Sequence, residues 1–172
     1  MTLALKSDAF SDGQRIPRKH TGDGLDVSPA LAWGDLPKGT KELALIVDDP
    51  DAPREEPWVH WVLYKIPAEI QGLPEGVRAG DERPHDVPGA IQGQNTWGAL
   101  GYRGPAPPKG HGAHRYRFHL YALDEAISAK PGMDKDGLLN AIKDRVIGEA
   151  ELTGSYERPE TQSPMAARGA KA

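Results

Sequence analysis

The chain has 172 residues, with 25 Asp and Glu against 21 Lys and Arg for a formal charge of −4, and it has no cysteine. One domain with its own core fits that length. The missing thiols exclude a disulfide framework, a cysteine zinc site and a thiol nucleophile, and the acidic balance argues against sequence-independent nucleic-acid binding. Sixteen Pro and twenty Gly, dispersed among apolar runs, point to many turns and long loops rather than disorder. The start, MTLALKSDAF, lacks the basic-then-apolar pattern of a signal peptide, and no run reaches membrane-spanning length. The expectation is a soluble cytoplasmic protein without a transmembrane segment.

In chain order, residues 3–10 read as a short strand, and 11–40 as Gly-, Pro- and Asp-rich loops with a small apolar piece at Leu31–Trp33. ELALIV (42–47) is a short apolar run bounded by turn residues, the pattern of a buried strand, and DDPDAP ends it. WVHWVLYKI (58–66) reads as a second, central strand. Strict alternation puts Trp58, His60, Val62, Tyr64 and Ile66 on one face and Val59, Trp61, Leu63 and Lys65 on the other. Residues 67–112 are mostly loop, and loops of that length are usually functional or disordered. His114–Leu123 alternates as a half-buried strand, with His114, Tyr116, Phe118, Leu120 and Ala122 inward and Arg115, Arg117 and His119 outward. Helical spacing runs over 134–147, with Asp134 or Asp136 as cap and Gly148 as stop. A last strand is expected at 149–156. Residues 1–158 form one domain on this reading, and 159–172 a flexible tail.

Three groups of residues carry chemistry. Asp48, Asp49 and Asp51 follow a buried strand, where carboxylates can orient a histidine, transfer protons or hold a metal; Asp and Pro are also ordinary turn formers. His60, in an apolar strand, needs a hydrogen-bond partner, and a carboxylate of the 48–51 loop is a candidate, although a lone inward histidine is more often a satisfied core residue. GPAPPKGHGAHRY (104–116) joins a Pro-stiffened, Gly-punctuated loop to a strand whose first inward residues are His114 and Tyr116. Rigid loop, backbone donors and inward side chains converge there on a small anion site. No GxSxG elbow, HExxH spacing or P-loop is present, and no cofactor is implied.

VDDPDAP, PWVHWVLYKIPA and GQNTWGALGYRGPAPPKGHGAHRYRFHLYALD, with DGLDVSPALAW before them and AELTGSYER after, resemble the phosphatidylethanolamine-binding protein family in its bacterial, Raf kinase inhibitor-like form. The resemblance spans about residues 8–158. It implies a mainly β fold with a large central antiparallel sheet, a smaller second sheet and few helices. It also implies one pocket for anions such as phosphate and phosphoethanolamine head groups. Carried over residue by residue, that pocket consists of Asp49, Ala52, Pro53, His60, Gly104, Pro107, Pro108, His114 and Tyr116, and the resemblance implies a cis Glu56–Pro57 bond. Thr96 stands where many relatives have Asp, and Gly22 and Ala106 stand where some have Cys. The segment that helps close the pocket in eukaryotic members has no match, which implies a more open pocket. The function expected is non-enzymatic binding of a small anion, with regulation of kinases or proteases by ligand-sensitive docking. The alternatives are an ester hydrolase using the His/Asp pocket, and a protein-interaction module whose pocket is structural.

Overall fold

A computed structural model describes residues 2–159; most of the expected tail, 160–172, lies outside the described residues. Strands β1 (Ala4–Lys6), β2 (Leu31–Gly34) and β5 (Gly72–Leu73) form a small sheet in the order β1-β2-β5. Strands β3 (Glu42–Asp49), β4 (Trp58–Pro67), β6 (Ile91–Gln92), β7 (His114–Leu123) and β8 (Val146–Tyr156) form a larger one, ordered β6-β4-β3-β7-β8. Pairings between these strands are antiparallel. The protein is mainly β, with one α-helix, α1 (Lys135–Ile142), and a 3₁₀ turn at Arg18–His20 among the described residues. No described helix is long and apolar enough to cross a membrane.

The continuous apolar run of β3 is explained by its place at the centre of the larger sheet, where both faces are covered. Leu43, Leu45 and Val47 face the small sheet, in a core with Leu5, Leu31, Trp33, Phe118 and Leu120. Ala44 and Ile46 face the other way, in a second core closed by Leu138 and Ile142 of α1. Burial on both sides is the main stabilising contribution available to a strand with so few polar residues.

β4 departs from strict alternation. Val47 pairs with Trp61 but Asp48 with Val59, so His60 is an extra residue, and a second irregularity lies between the Leu45↔Leu63 and Leu43↔Ile66 pairs. A bulge turns neighbouring side chains to one face. His60 packs on Tyr116, and Trp61 shares the core of Tyr116, whereas Val62 and Tyr64 sit in the helix-side core. Near the second irregularity, Lys65 adopts φ 55° and reaches Glu42 Oε2 and the Ile127 carbonyl, and Ile66 returns to the larger core. The expected grouping of His60 with Val62, Tyr64 and Ile66 is thus corrected by two bulges, which leave no periodic trace in sequence.

Three further expectations change. The helix begins as expected, with Asp134 accepting from the Gly137 N–H at 2.8 Å, but it stops at Ile142. Arg145 lies in the turn that follows, and Val146 and Gly148 belong to β8. Gly148 pairs with Ala122, and a Cβ there would lie 2.6 Å from the Pro37 ring, so this glycine serves close packing rather than a helix stop. The first strand covers only Ala4–Lys6 of the expected 3–10. No peptide bond among the described residues is cis, so Glu56–Pro57 is trans. Trans is the intrinsically favoured form even before proline, and the bends over 51–56 lead the chain into β4 without the alternative.

Candidate functional site

The three carboxylates after β3 take three directions, because alternation continues to the strand's end. Asp48 points to the helix side, where Arg117 Nε and Nη2 hold it at 2.9 and 3.2 Å and Lys135 Nζ at 2.8 Å. Asp51 lies further along and takes a two-pronged bond from Arg115, with both contacts at 2.9 Å. That guanidinium, through hydrogen bonding first, lowers the Asp51 carboxyl to about 2. Asp49 points to the opposite face. It is 4% exposed; its Oδ1 accepts the Asp51 N–H at 2.8 Å and its Oδ2 accepts Nδ1–H of His114 at 2.7 Å.

The expected pairing of a 48–51 carboxylate with His60 is therefore corrected. The antiparallel β3–β7 register brings His114 to Asp49, and His60 finds another partner. Its Nδ1 lies 2.5 Å from the Arg103 carbonyl oxygen, while the Arg103 N–H donates to the His60 carbonyl at 3.1 Å. Burial pushes the His60 imidazole towards its neutral form; the bond to the Arg103 carbonyl, and after it the carboxylates of Asp49, Asp26 and Asp48, oppose this less strongly. Burial likewise raises the Tyr116 hydroxyl far above its ordinary range, so it remains a protonated donor.

The loop that walls the site is tied from behind. Asp26, in the left-handed region at φ 61°, accepts the Gly104 N–H at 2.7 Å. The Gly22 N–H donates to the Pro105 carbonyl at 2.8 Å, and the Tyr102 hydroxyl to the His20 carbonyl at 2.6 Å. A Cβ on Gly104 would sit 2.2 Å from the His20 carbonyl oxygen, so only glycine allows this approach.

These elements enclose a cleft of about 300 Å³. Of the nine residues expected, Asp49, Ala52, Pro53, His60, Pro107, Pro108, His114 and Tyr116 line it. Gly104 does not; it anchors the wall against residues 20–26. Trp58, Trp97 and Ala106 also line the cleft and were not anticipated. Trp58 had a signal, since it shares a strand face with His60. Trp97 had little, because a loop places it: Asn95 Oδ1 accepts the N–H groups of Trp97 and Ala99, and its Nδ2 donates to the Gly101 carbonyl. The hydroxyl of Thr96 accepts the Val59 N–H at 2.7 Å and joins that loop to β4.

The cleft is aromatic as well as polar. Trp97 stands edge-on to Trp58 and to His60, with centroids 5.3 and 5.1 Å apart, and His60 is edge-on to Tyr116 at 5.2 Å. Arg54 lies over the Trp58 ring and Arg103 over the Trp97 ring, which places two guanidinium groups on the tryptophans of the cleft wall. The Trp58 indole N–H is buried without a partner among the described residues. A larger groove of about 520 Å³, lined by Arg54, Val59, Thr96, Asp134 and Lys135 among others, runs nearby. Its lining contains neither histidine nor tyrosine, and the buried Asp–His pair belongs to the smaller cleft.

This fold and cleft define a class. The sequence profile of the phosphatidylethanolamine-binding protein family matches residues 6–157, and the chain belongs to that family. A UPF0098 protein of Methanothermobacter thermautotrophicus is 48% identical over 156 residues, covering 91% of this chain and 99% of its relative. Escherichia coli YbhB, also named a UPF0098 protein, is 40% identical over 136 residues, covering 76% and 84%. Two crystal structures share the architecture. A Chlamydia trachomatis protein described as a putative phosphatidylethanolamine-binding protein homologue has a TM-score of 0.82 at 40% identity, covering 91% of this chain and 98% of its own. Escherichia coli YbcL, described as a member of the mammalian phosphatidylethanolamine-binding protein family, has a TM-score of 0.84 at 33% identity, covering 92% and 99%.

Proposed function

We propose that this protein binds a small anion, phosphate or a phosphoethanolamine head group, in the cleft between the 104–108 loop and the turn after β3, and that it does so without turning the ligand over. The observation that carries this reading is the convergence on the cleft of His60, His114, Tyr116 and Trp58: His60 Nε2, the Tyr116 hydroxyl and the Trp58 indole N–H have no partner among the described residues, and His114 Nε2 has only a 3.4 Å contact with His111 Nδ1. Arg54 and Arg103 bring positive charge to the wall. Asp49 fixes the His114 ring through Nδ1, so the ring meets the ligand through Nε2, and it donates there when the ring carries both protons. Family membership supports a ligand-binding role, and ligand-sensitive docking on a kinase or protease is the regulatory output we propose for it.

Calorimetric titration with inorganic phosphate and with O-phosphoethanolamine tests the reading, on the parent chain and on His114→Ala. Saturable binding is expected for the parent. The folded variant is expected to lose about 1.5–3 kcal/mol, the usual worth of a hydrogen bond to a charged group. Equal affinity in the two proteins would remove His114 from the site, and no binding by the parent would remove the anion reading. The Asp49–His114 pair also favours a second reading, hydrolysis of phosphate or carboxylate esters with His114 as general base. Ester turnover that is lost in His114→Ala would establish that reading instead.

A further inference from the structure

The tautomer of His60 narrows the ligand further. A carbonyl oxygen has only lone pairs to offer, so the 2.5 Å contact with the Arg103 carbonyl requires the proton to be on Nδ1. The reciprocal Arg103 N–H bond to the His60 carbonyl clamps ring and loop together. With Nδ1 committed and the ring neutral, Nε2 carries a lone pair and no proton. Nothing among the described residues donates to it. Tyr116 and Trp97 meet the ring edge-on, and the carboxylates that act on it, Asp49 and Asp48 of β3 and Asp26 of the 20–26 loop, can offer no hydrogen. His114 differs: its Nδ1–H is given to Asp49, and its Nε2 already lies 3.4 Å from His111 Nδ1. At His60 the cleft thus presents a hydrogen-bond acceptor beside its donors, which is an unusual lining for a site that takes an anion.

We propose, resting on the anion-site reading above, that the cleft selects anions carrying a hydrogen-bond donor of their own, which His60 Nε2 accepts, and rejects anions of equal charge whose oxygens can only accept. The P–OH of a monoprotonated phosphate monoester is such a donor, and an ammonium attached to the same ligand is another. The remaining phosphate oxygens accept from the Tyr116 hydroxyl and from the Trp58 indole N–H. A sulfate ester, or a phosphodiester without an amine, sets an oxygen lone pair against that of Nε2. It both repels and leaves a buried acceptor unpaired.

The test is a titration near pH 6, where a phosphate monoester is about half monoprotonated, with methyl phosphate, methyl sulfate and dimethyl phosphate. Methyl sulfate matches the monoprotonated ester in size and charge and lacks only the proton. Methyl phosphate is expected to bind about tenfold or more tightly than either of the others, the usual scale for an unpaired buried acceptor. Methyl sulfate binding as well as methyl phosphate would overturn the selection by donor while leaving the anion site standing, whatever dimethyl phosphate does. No binding by any of the three, together with none by O-phosphoethanolamine, would overturn the anion site itself.

Discussion

Strand β7 presents two opposite faces built from the same kinds of residue. On the outer face Arg115, Arg117 and His119 meet Asp51, Asp48 and Glu149, and each charge is matched by one or more partners at about hydrogen-bonding distance. On the inner face Tyr116, with His60 across from it, keeps polar atoms that no described residue uses, and His114 beside it spends only Nδ1 on a short bond. Both faces are rich in His, Asp and Tyr or Arg, so residue type does not separate them. Saturation does: the outer face is a ladder of completed pairs, and the inner one is held rigid by one completed bond at Nδ1 of each histidine, with His60 Nε2 unpartnered among the described residues and His114 Nε2 met only by His111 Nδ1 at 3.4 Å. Such half-completed groups, fixed on one side and free on the other, are what a preorganised binding site requires.

The sharpest way to break that comparison is to remove one carboxylate from each face. Asp49→Ala strips the acceptor from the Nδ1–H of a His114 that is 3% exposed, and leaving a buried donor unsatisfied costs about 1–3 kcal/mol. Denaturant unfolding is expected to show that loss. Asp51→Asn removes a partner from a largely exposed guanidinium, and its effect at neutral pH is expected to be a small fraction of the first. Comparable losses in the two variants would mean that the inner pair is no more buried in its energetics than the outer one.

The smaller effect has a signature in acid. The Asp51 carboxyl is lowered from 3.8 to about 2 by Arg115, so the folded state binds that proton less readily than the unfolded chain. Its contribution is complete above pH 3.8 and is lost as the pH falls towards 2. Parent and Asp51→Asn are therefore expected to differ by a small constant amount above about pH 4 and to converge as the pH approaches 2. Unfolding midpoints measured across that range check the sign. A gap that widens on acidification would contradict it.

Much of this site could be read from the chain because it lies on regular strands. Alternation alone turns His114 and Tyr116 inward and Arg115 and Arg117 outward, and the structure agrees. The abrupt DDPDAP turn marks the sheet end that carries the carboxylates. The illegible parts depend on irregular backbone and on contacts distant in sequence. The bulge at His60 changes which neighbours share its face, and its partner is a carbonyl 43 residues away, so no spacing rule could find it. Which of three adjacent carboxylates meets which basic residue was likewise set by the register of β3 on β7. Trp97 reaches the cleft through the hydrogen bonds of Asn95 in a long loop, and Gly104 lies outside the cleft lining, where Asp26 holds its N–H.

The four tryptophans permit a direct test of the cleft as the anion site. Trp58 and Trp97 line it, whereas the indole N–H of Trp33 is bonded to the Ile70 carbonyl and that of Trp61 to Gln92 Oε1, both at 2.9 Å. The measurement is the set of indole ¹H–¹⁵N resonances of the parent protein during titration with inorganic phosphate at constant pH and ionic strength. Saturable movement of the Trp58 and Trp97 signals, with Trp33 and Trp61 unmoved, is the result this account predicts. Movement confined to Trp33 or Trp61, or four signals that ignore phosphate, would contradict it.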